Sequence, residues 1–133
     1  MRTRIVIVSF LLFSATSIGA QDKADKNPLT HEAIQGAWEL KNEDGSKRIK
    51  FIAGGQWTIT QYDPNTGTVV FHHGGTYTLD GATYTETVLF ANENTIDMKG
   101  DSNEFEITID GDVLHQRGIG NPWNEDWTRI KPQ

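Results

Sequence analysis

Glu86 is the residue whose surroundings ask most plainly for chemistry. In Tyr84-Thr85-Glu86-Thr87-Val88 it alternates in phase with an aromatic and an aliphatic side chain, so a strand here turns its carboxylate toward the apolar face. A buried carboxylate is costly unless it is hydrogen-bonded, ion-paired or protonated. His73, Gln116 and the hydroxyls of Tyr77 and Tyr84 are the polar groups that the alternation brings to the same face. One reading is a polar patch that orients a ligand on the wall of a lumen. The other is a network that only stabilises the fold. Trp57 and Phe71, also inward by phase, offer flat surfaces to a sugar or a planar ring, or serve as plain core. Trp123 lies in the polar turn Gly120-Asn121-Pro122-Trp123-Asn124, where a large aromatic either caps the structure or meets a ligand at its rim. The candidate ligand-binding set is Trp57, His73, Tyr77, Tyr84, Glu86, Gln116 and Trp123.

Metal and catalytic chemistry have less support. His72 and His73 are adjacent, so on a strand they point to opposite faces and cannot chelate one ion together. His115 is out of phase with Gln116 and faces outward, and His31 sits near the polar start of the domain. No metal site and no cofactor are called for. The chain has no cysteine nucleophile, no Gly-x-Ser-x-Gly elbow, no phosphate-binding glycine loop and no His-Glu-x-x-His. A Glu86–His73 acid/base pair is the one enzymatic reading left, and no nucleophile or metal set supports it. The expectation is a binding protein with no catalytic residue.

The elements that must place these residues are strands. After a helical turn from Thr30 to Gln35, capped by Thr30 and closed at Gly36, nothing has helical period. Short runs rich in Val, Ile, Thr, Tyr and Trp alternate with turn residues. They predict strands at Gly36–Lys41, Lys47–Ile52, Gln56–Tyr62, Thr68–Leu79, Ala82–Phe90, Asn103–Ile109, Asp112–Gly118 and Asp126–Lys131. His72–Gly75 is read as a bulge or a continuous strand, because Val69, Phe71, His73, Tyr77 and Leu79 keep one phase. Two-residue loops at Asp80-Gly81 and Asp110-Gly111 oppose Tyr77 with Tyr84, Gly75 with Glu86, and Ile107 with Leu114. A three-residue loop from Ala53 to Gly55 opposes Phe51 with Trp57 and Ile49 with Ile59, gathering those four on the inner face.

That face then holds Trp38, Leu40, Ile49, Phe51, Trp57, Ile59, Phe71, Tyr77, Leu79, Tyr84, Val88, Phe105, Ile107 and Leu114. Thr58, Thr60, Thr78, Thr83, Thr85, Thr87, Glu104, Glu106 and Thr108 fall on the other. One dry face with no helix to cover it must curl onto itself or pack as two halves; closure also removes exposed edges, and a barrel is the simpler solution. The expected fold is all-β: a single up-and-down antiparallel eight-stranded barrel.

Residues 1–20 read as a secretory signal peptide. Arg2 and Arg4 precede the apolar run Ile5–Phe13, and small residues lead to a cut after Ala20. That run is too short for a membrane span, which needs about 20 apolar residues, so no stable membrane insertion is expected after processing. Residues 21–28 read as a disordered leader and 29–133 as the barrel domain, periplasmic or secreted. With no cysteine in the chain, no disulfide braces it. A net charge of −6 without a basic cluster argues against nucleic acid as a partner.

The segment Leu29–Leu40, a helical turn followed by Gly36-Ala37-Trp38, resembles the opening of lipocalins and related calycin barrels. The resemblance implies that Trp38 plugs the closed end and that Arg129, in Trp127-Thr128-Arg129, lies across it from the last strand. A guanidinium over an indole face gains from the π cloud while it seals the floor. Gly36, Trp38 and Arg129 are thus the expected barrel floor. Gly74-Gly75-Thr76-Tyr77, Tyr84-Thr85-Glu86 and the late Trp-x-Arg are similar to secreted bacterial lipocalin-like domains of unassigned function. The chain is shorter than typical animal lipocalins and lacks their disulfides and long terminal helix.

Two function classes follow. The first is an exported protein that binds a small hydrophobic or amphipathic molecule (a lipid, sugar or aromatic metabolite) in the barrel lumen. The second is a secreted protein-interaction module, an inhibitor or accessory subunit, that meets a protein partner through the leader and rim loops. A lumen of roughly several hundred cubic ångströms touching Glu86 favours the first, and a filled interior favours the second.

Overall fold

A computed structural model describes residues 29–133; the expected signal peptide and leader lie outside the described residues. After the one-turn helix α1 (His31–Ile34), eight strands follow: β1 (Gly36–Lys41), β2 (Lys47–Ala53), β3 (Gln56–Tyr62), β4 (Val69–Asp80), β5 (Thr83–Ala91), β6 (Ser102–Asp110), β7 (Val113–Ile119) and β8 (Asn124–Arg129). Each pairs antiparallel with its chain neighbours, and β1 pairs with β8, so the sheet closes as an up-and-down barrel. A 3₁₀ segment, Glu93–Met98, interrupts the long connector between β5 and β6. Strand β8 begins at Asn124, two residues earlier than the sequence pattern suggested, which brings Trp123 to the edge of the sheet.

The largest departure from expectation lies at β2. The turn is the two-residue Gly54-Gly55, with φ of 59° and 75°. Positive φ at both central residues is the arrangement whose twist matches a tight hairpin, and only glycine enters it freely. Ala53 then pairs with Gln56, Ile52 with Trp57 and Lys50 with Ile59. The whole strand is turned over relative to a three-residue loop. Phe51 is 54% exposed and Ile49 shares its outer side, whereas Lys50 and Ile52 are each 1% exposed inside. The inward assignment of Ile49 and Phe51 is therefore corrected.

The other two hairpins are corrected without changing faces. Their turns are Gly81-Ala82 and Gly111-Asp112, since Asp80 pairs with Thr83 and Asp110 with Val113. Only the glycine of each turn has positive φ. Tyr77 thus opposes Glu86, Gly75 opposes Val88, and Ile107 opposes Gln116. A slip of two residues preserves the side-chain phase, so Glu86, Tyr84 and Gln116 still point inward. Strand β4 runs continuously through His72–Gly75 with a register shift between Gly74 and Gly75. A Cβ at Gly75 would strike the Thr87 carbonyl, so β4 and β5 approach here only because the side chain is missing.

The floor is built from α1 and both ends of the sheet. Thr30 Oγ1 accepts from the Ala33 amide, capping the helical turn. Trp38 Nε1 donates to the Ile34 carbonyl at 2.9 Å, and both residues are fully buried. Arg129, opposite Trp38 in the sheet, holds its guanidinium 4.1 Å from the indole centroid. Its Nη1 and Nη2 donate to the carbonyls of Gln35 and Ala33, both at 2.8 Å. Gly36 leaves room for it: a Cβ there would sit 2.9 Å from Nη1.

Candidate functional site

The registers of β2, β5 and β7 bring three buried polar side chains together in the barrel. Lys50 Nζ donates to Glu86 Oε1 at 2.6 Å and to Gln116 Oε1 at 2.9 Å. Lys50 and Gln116 are each 1% exposed and Glu86 6%. The ammonium also lies 4.8 Å from the Trp127 ring centroid, over an indole that is itself fully buried. Two hydrogen bonds and an aromatic face thus replace the water that the cation loses. Glu86 needed a partner, and the partner is Lys50, a residue that the expected strand phase had turned outward.

Above this pair, toward the open end, is a hollow of about 160 Å³. Its lining is largely aromatic, from Trp57, Phe71, Phe105 and Trp123, with Ile59, Val88 and Met98 adding apolar surface. The polar lining comes from Lys50 and Glu86 at the base and from Arg48, His73, Thr95, Asn103 and Glu125 around it. Thr95 and Met98 belong to the 3₁₀ segment, which reaches over the mouth and is tied to β4 by Asn94 Nδ2 donating to the Val70 carbonyl. The volume is smaller than the roughly several hundred cubic ångströms of a drug-sized pocket. It is close to the ~150 Å³ apolar cavity known to hold one benzene.

A second ion pair sits beside the hollow. Arg48 Nη1 meets Glu125 Oε2 at 3.0 Å, and its Nε donates to Gln61 Oε1 at 2.8 Å. Both positive groups of the lining are therefore matched by a carboxylate. His73 is 7% exposed, stacked on Phe71 and edge-on to Trp57. Burial, reinforced by the positive charges of Lys50, His72 and Arg48, lowers its pKa to about 4. The imidazole is neutral at ordinary pH.

The candidate residues divide between the hollow and the layer beneath it. Trp57, His73, Glu86 and Trp123 border the hollow, whereas Tyr77, Tyr84 and Gln116 do not. Gln116 supports Lys50 from the side. Tyr77 faces the floor, where its hydroxyl meets His31 Nδ1 at 3.2 Å, and burial raises its pKa. Tyr84 packs against Tyr77, and its buried hydroxyl finds no hydrogen-bond partner among the described residues. Burial, then the nearby Glu86 carboxylate, pushes that phenol well up. His72 points outward onto Thr60, and His115 outward onto Asp126.

The residues that the sequence reading left unassigned are Arg48, Lys50, Thr95, Met98, Asn103, Glu125 and Trp127. The signal for Lys50 was present: Gly54-Gly55 is a strong two-residue turn, and a buried carboxylate asks for a cation. No family model, curated protein or solved structure matches the chain.

Proposed function

We propose that this chain is an exported binding protein that holds one small molecule in the open end of its barrel. The observation that carries the reading is the hollow itself: a partly closed space lined largely by aromatic side chains, ending on a buried Lys50–Glu86 pair. A core built only for stability has no need of a void there, since interiors pack closely and unfilled space costs stability. The size restricts the ligand to one ring or a few carbons, so an extended lipid chain does not fit inside. The lipocalin-like resemblance belongs to the same proposal, as does export through residues 1–20. In favour of kinship are the helical turn, Gly36-Ala37-Trp38 and an arginine across the tryptophan.

Isothermal titration against toluene, phenol, benzoate, glucose and dodecanoate tests the binding reading. Wild type is expected to bind at least one single-ring compound. Asn103→Phe, which fills the hollow from a side chain with no hydrogen bond among the described residues, is expected to abolish it. Silence toward all five compounds, or equal binding by the filled variant, overturns the reading.

A second reading, contact with a protein partner, is favoured by the rim. Val70, Phe90, Ile96, Ile119 and Trp123 are large, exposed and all at the open end, where β4 and β8 begin and β5 and β7 finish. The leader 21–28 would assist. Deleting the leader separates the two readings: it leaves small-molecule binding intact and weakens capture of a protein partner.

A further inference from the structure

The two ends of the barrel differ in charge. Alternate connectors share an end of an up-and-down barrel, so 42–46, 63–68, 92–101 and 120–123 all lie at the open end. They carry Glu43, Asp44, Asp63, Glu93, Asp97 and Asp101 against a single base, Lys99. None of these carboxylates is ion-paired among the described residues. The cations on the adjoining strands are already engaged: Lys41 and Lys47 by Glu39, Arg48 by Glu125, and Arg117 by Asp126. At the floor, connectors 54–55, 81–82 and 111–112 hold one carboxylate, Asp112, and Lys131 Nζ lies 2.6 Å from it.

The acidic end is also the end with exposed apolar side chains. Val70, Phe90, Ile96, Ile119 and Trp123 are between 41% and 52% exposed. Covering such a group of side chains is favourable, and charge decides what can cover them. A second copy of the chain would set these carboxylates against their own kind. An anionic membrane would repel them in the same way. The leader balances Asp22 and Asp25 with Lys23 and Lys26 and has no large aliphatic or aromatic side chain, so it offers neither positive charge nor an apolar face.

We infer that the open rim docks a cationic, apolar protein segment, one in which lysine or arginine alternates with large aliphatic or aromatic side chains. Its apolar side chains cover Val70, Phe90, Ile96, Ile119 and Trp123, and its cations face the carboxylates of the four connectors. An apolar centre with a polar, solvated border is the usual layout of a protein contact. The uncompensated negative field at this end draws a cationic partner toward it.

This inference rests on the rim being a protein-contact surface, and the experiment keeps the two apart. Three capped peptides of alternating residues are titrated into the mature chain at pH 7: lysine with leucine, glutamate with leucine, and lysine with serine. NMR follows the Trp123 indole and the backbone amides of Val70, Phe90, Ile96 and Ile119. The lysine–leucine peptide is expected to shift these signals and to bind at least about tenfold more tightly than either control. Raising sodium chloride from about 50 to about 500 mM is expected to weaken it by a similar factor. Two variants separate the contributions without touching the core. Glu93→Gln with Asp97→Asn and Asp101→Asn removes three charges from one connector, where those side chains make no hydrogen bond among the described residues. Ile96→Ser removes an exposed apolar group. Each is expected to weaken the lysine–leucine peptide about fivefold or more. Equal binding of the lysine–leucine and glutamate–leucine peptides at the rim, or indifference to salt and to both variants, overturns the cationic assignment while leaving the protein-contact reading standing. Shifts of the same signals with phosphatidylcholine vesicles and none with any peptide assign the rim to a membrane and overturn both. Silence toward peptides and vesicles alike also overturns both.

Discussion

Lys50 Nζ and Glu86 Oε1 lie 2.6 Å apart inside the barrel, from strands that are not neighbours in the sheet. The pair spans the interior from β2 to β5, and Gln116 joins it from β7. Its location accounts for the exposure of Phe51: the phase that buries Phe51 would turn Lys50 away from Glu86.

Breaking the pair from one side leaves a charge stranded. Lys50→Met is expected to destabilise the fold by about 3–5 kcal/mol. Adding Glu86→Leu to Lys50→Met removes the stranded carboxylate, so the double variant recovers most of that loss. Urea unfolding of the four proteins measures the coupling. Strictly additive losses would mean that the two groups do not depend on each other.

The phase of β2 has its own test. Phe51→Ser removes a half-exposed side chain and is expected to cost under about 1 kcal/mol, whereas Ile52→Ala empties a fully buried position and costs about 2–5 kcal/mol. The opposite ranking would restore the three-residue loop.

That strand also marks where the sequence was legible and where it was not. Period-two alternation in Tyr84–Val88 and Phe105–Ile107 has one solution, so the eight strands, their order and the inward Glu86 were readable. In Arg48-Ile49-Lys50-Phe51-Ile52 both phases carry apolar residues, and simple hydrophobic sorting selects the wrong one. The correct phase follows from two facts outside the strand: the turn that two glycines allow and the distant carboxylate that needs a cation. The registers at Asp80 and Asp110 were two residues off, because Asp-Gly and the following Gly-Ala or Gly-Asp are both acceptable turns. The slip did not matter to the faces, but it moved Tyr77 opposite Glu86 and Gly75 away from it. The size of the hollow was not legible, since it depends on how far each side chain reaches.

His73 makes acid stability a readout of its burial. Its folded pKa of about 4 lies below the ordinary 6.5, so the unfolded chain takes up the proton first. The stabilising contribution is complete above pH 6.5 and is lost as pH falls through 6.5 toward 4, on the order of 3 kcal/mol across that window. His73→Gln is expected to flatten this part of the stability–pH curve. Parallel curves for the two proteins would show that the imidazole titrates as it does in water.

Arg129 ties the floor through geometry rather than charge. Arg129→Lys keeps the charge but cannot span the Ala33 and Gln35 carbonyls while stacking on Trp38, and it is expected to cost about 2 kcal/mol. Thermal unfolding checks this, and an unchanged Tm would remove Arg129 from the floor.

The most direct test of the binding account uses the four tryptophans as internal reporters. Trp57 and Trp123 border the hollow, while Trp38 lies in the floor and Trp127 beneath Lys50. Indole N–H signals followed by NMR during a phenol titration are predicted to shift saturably for Trp57 and Trp123 and to stay fixed for Trp38. Movement of Trp123 alone, or of no indole at all, would contradict a ligand seated in the lumen.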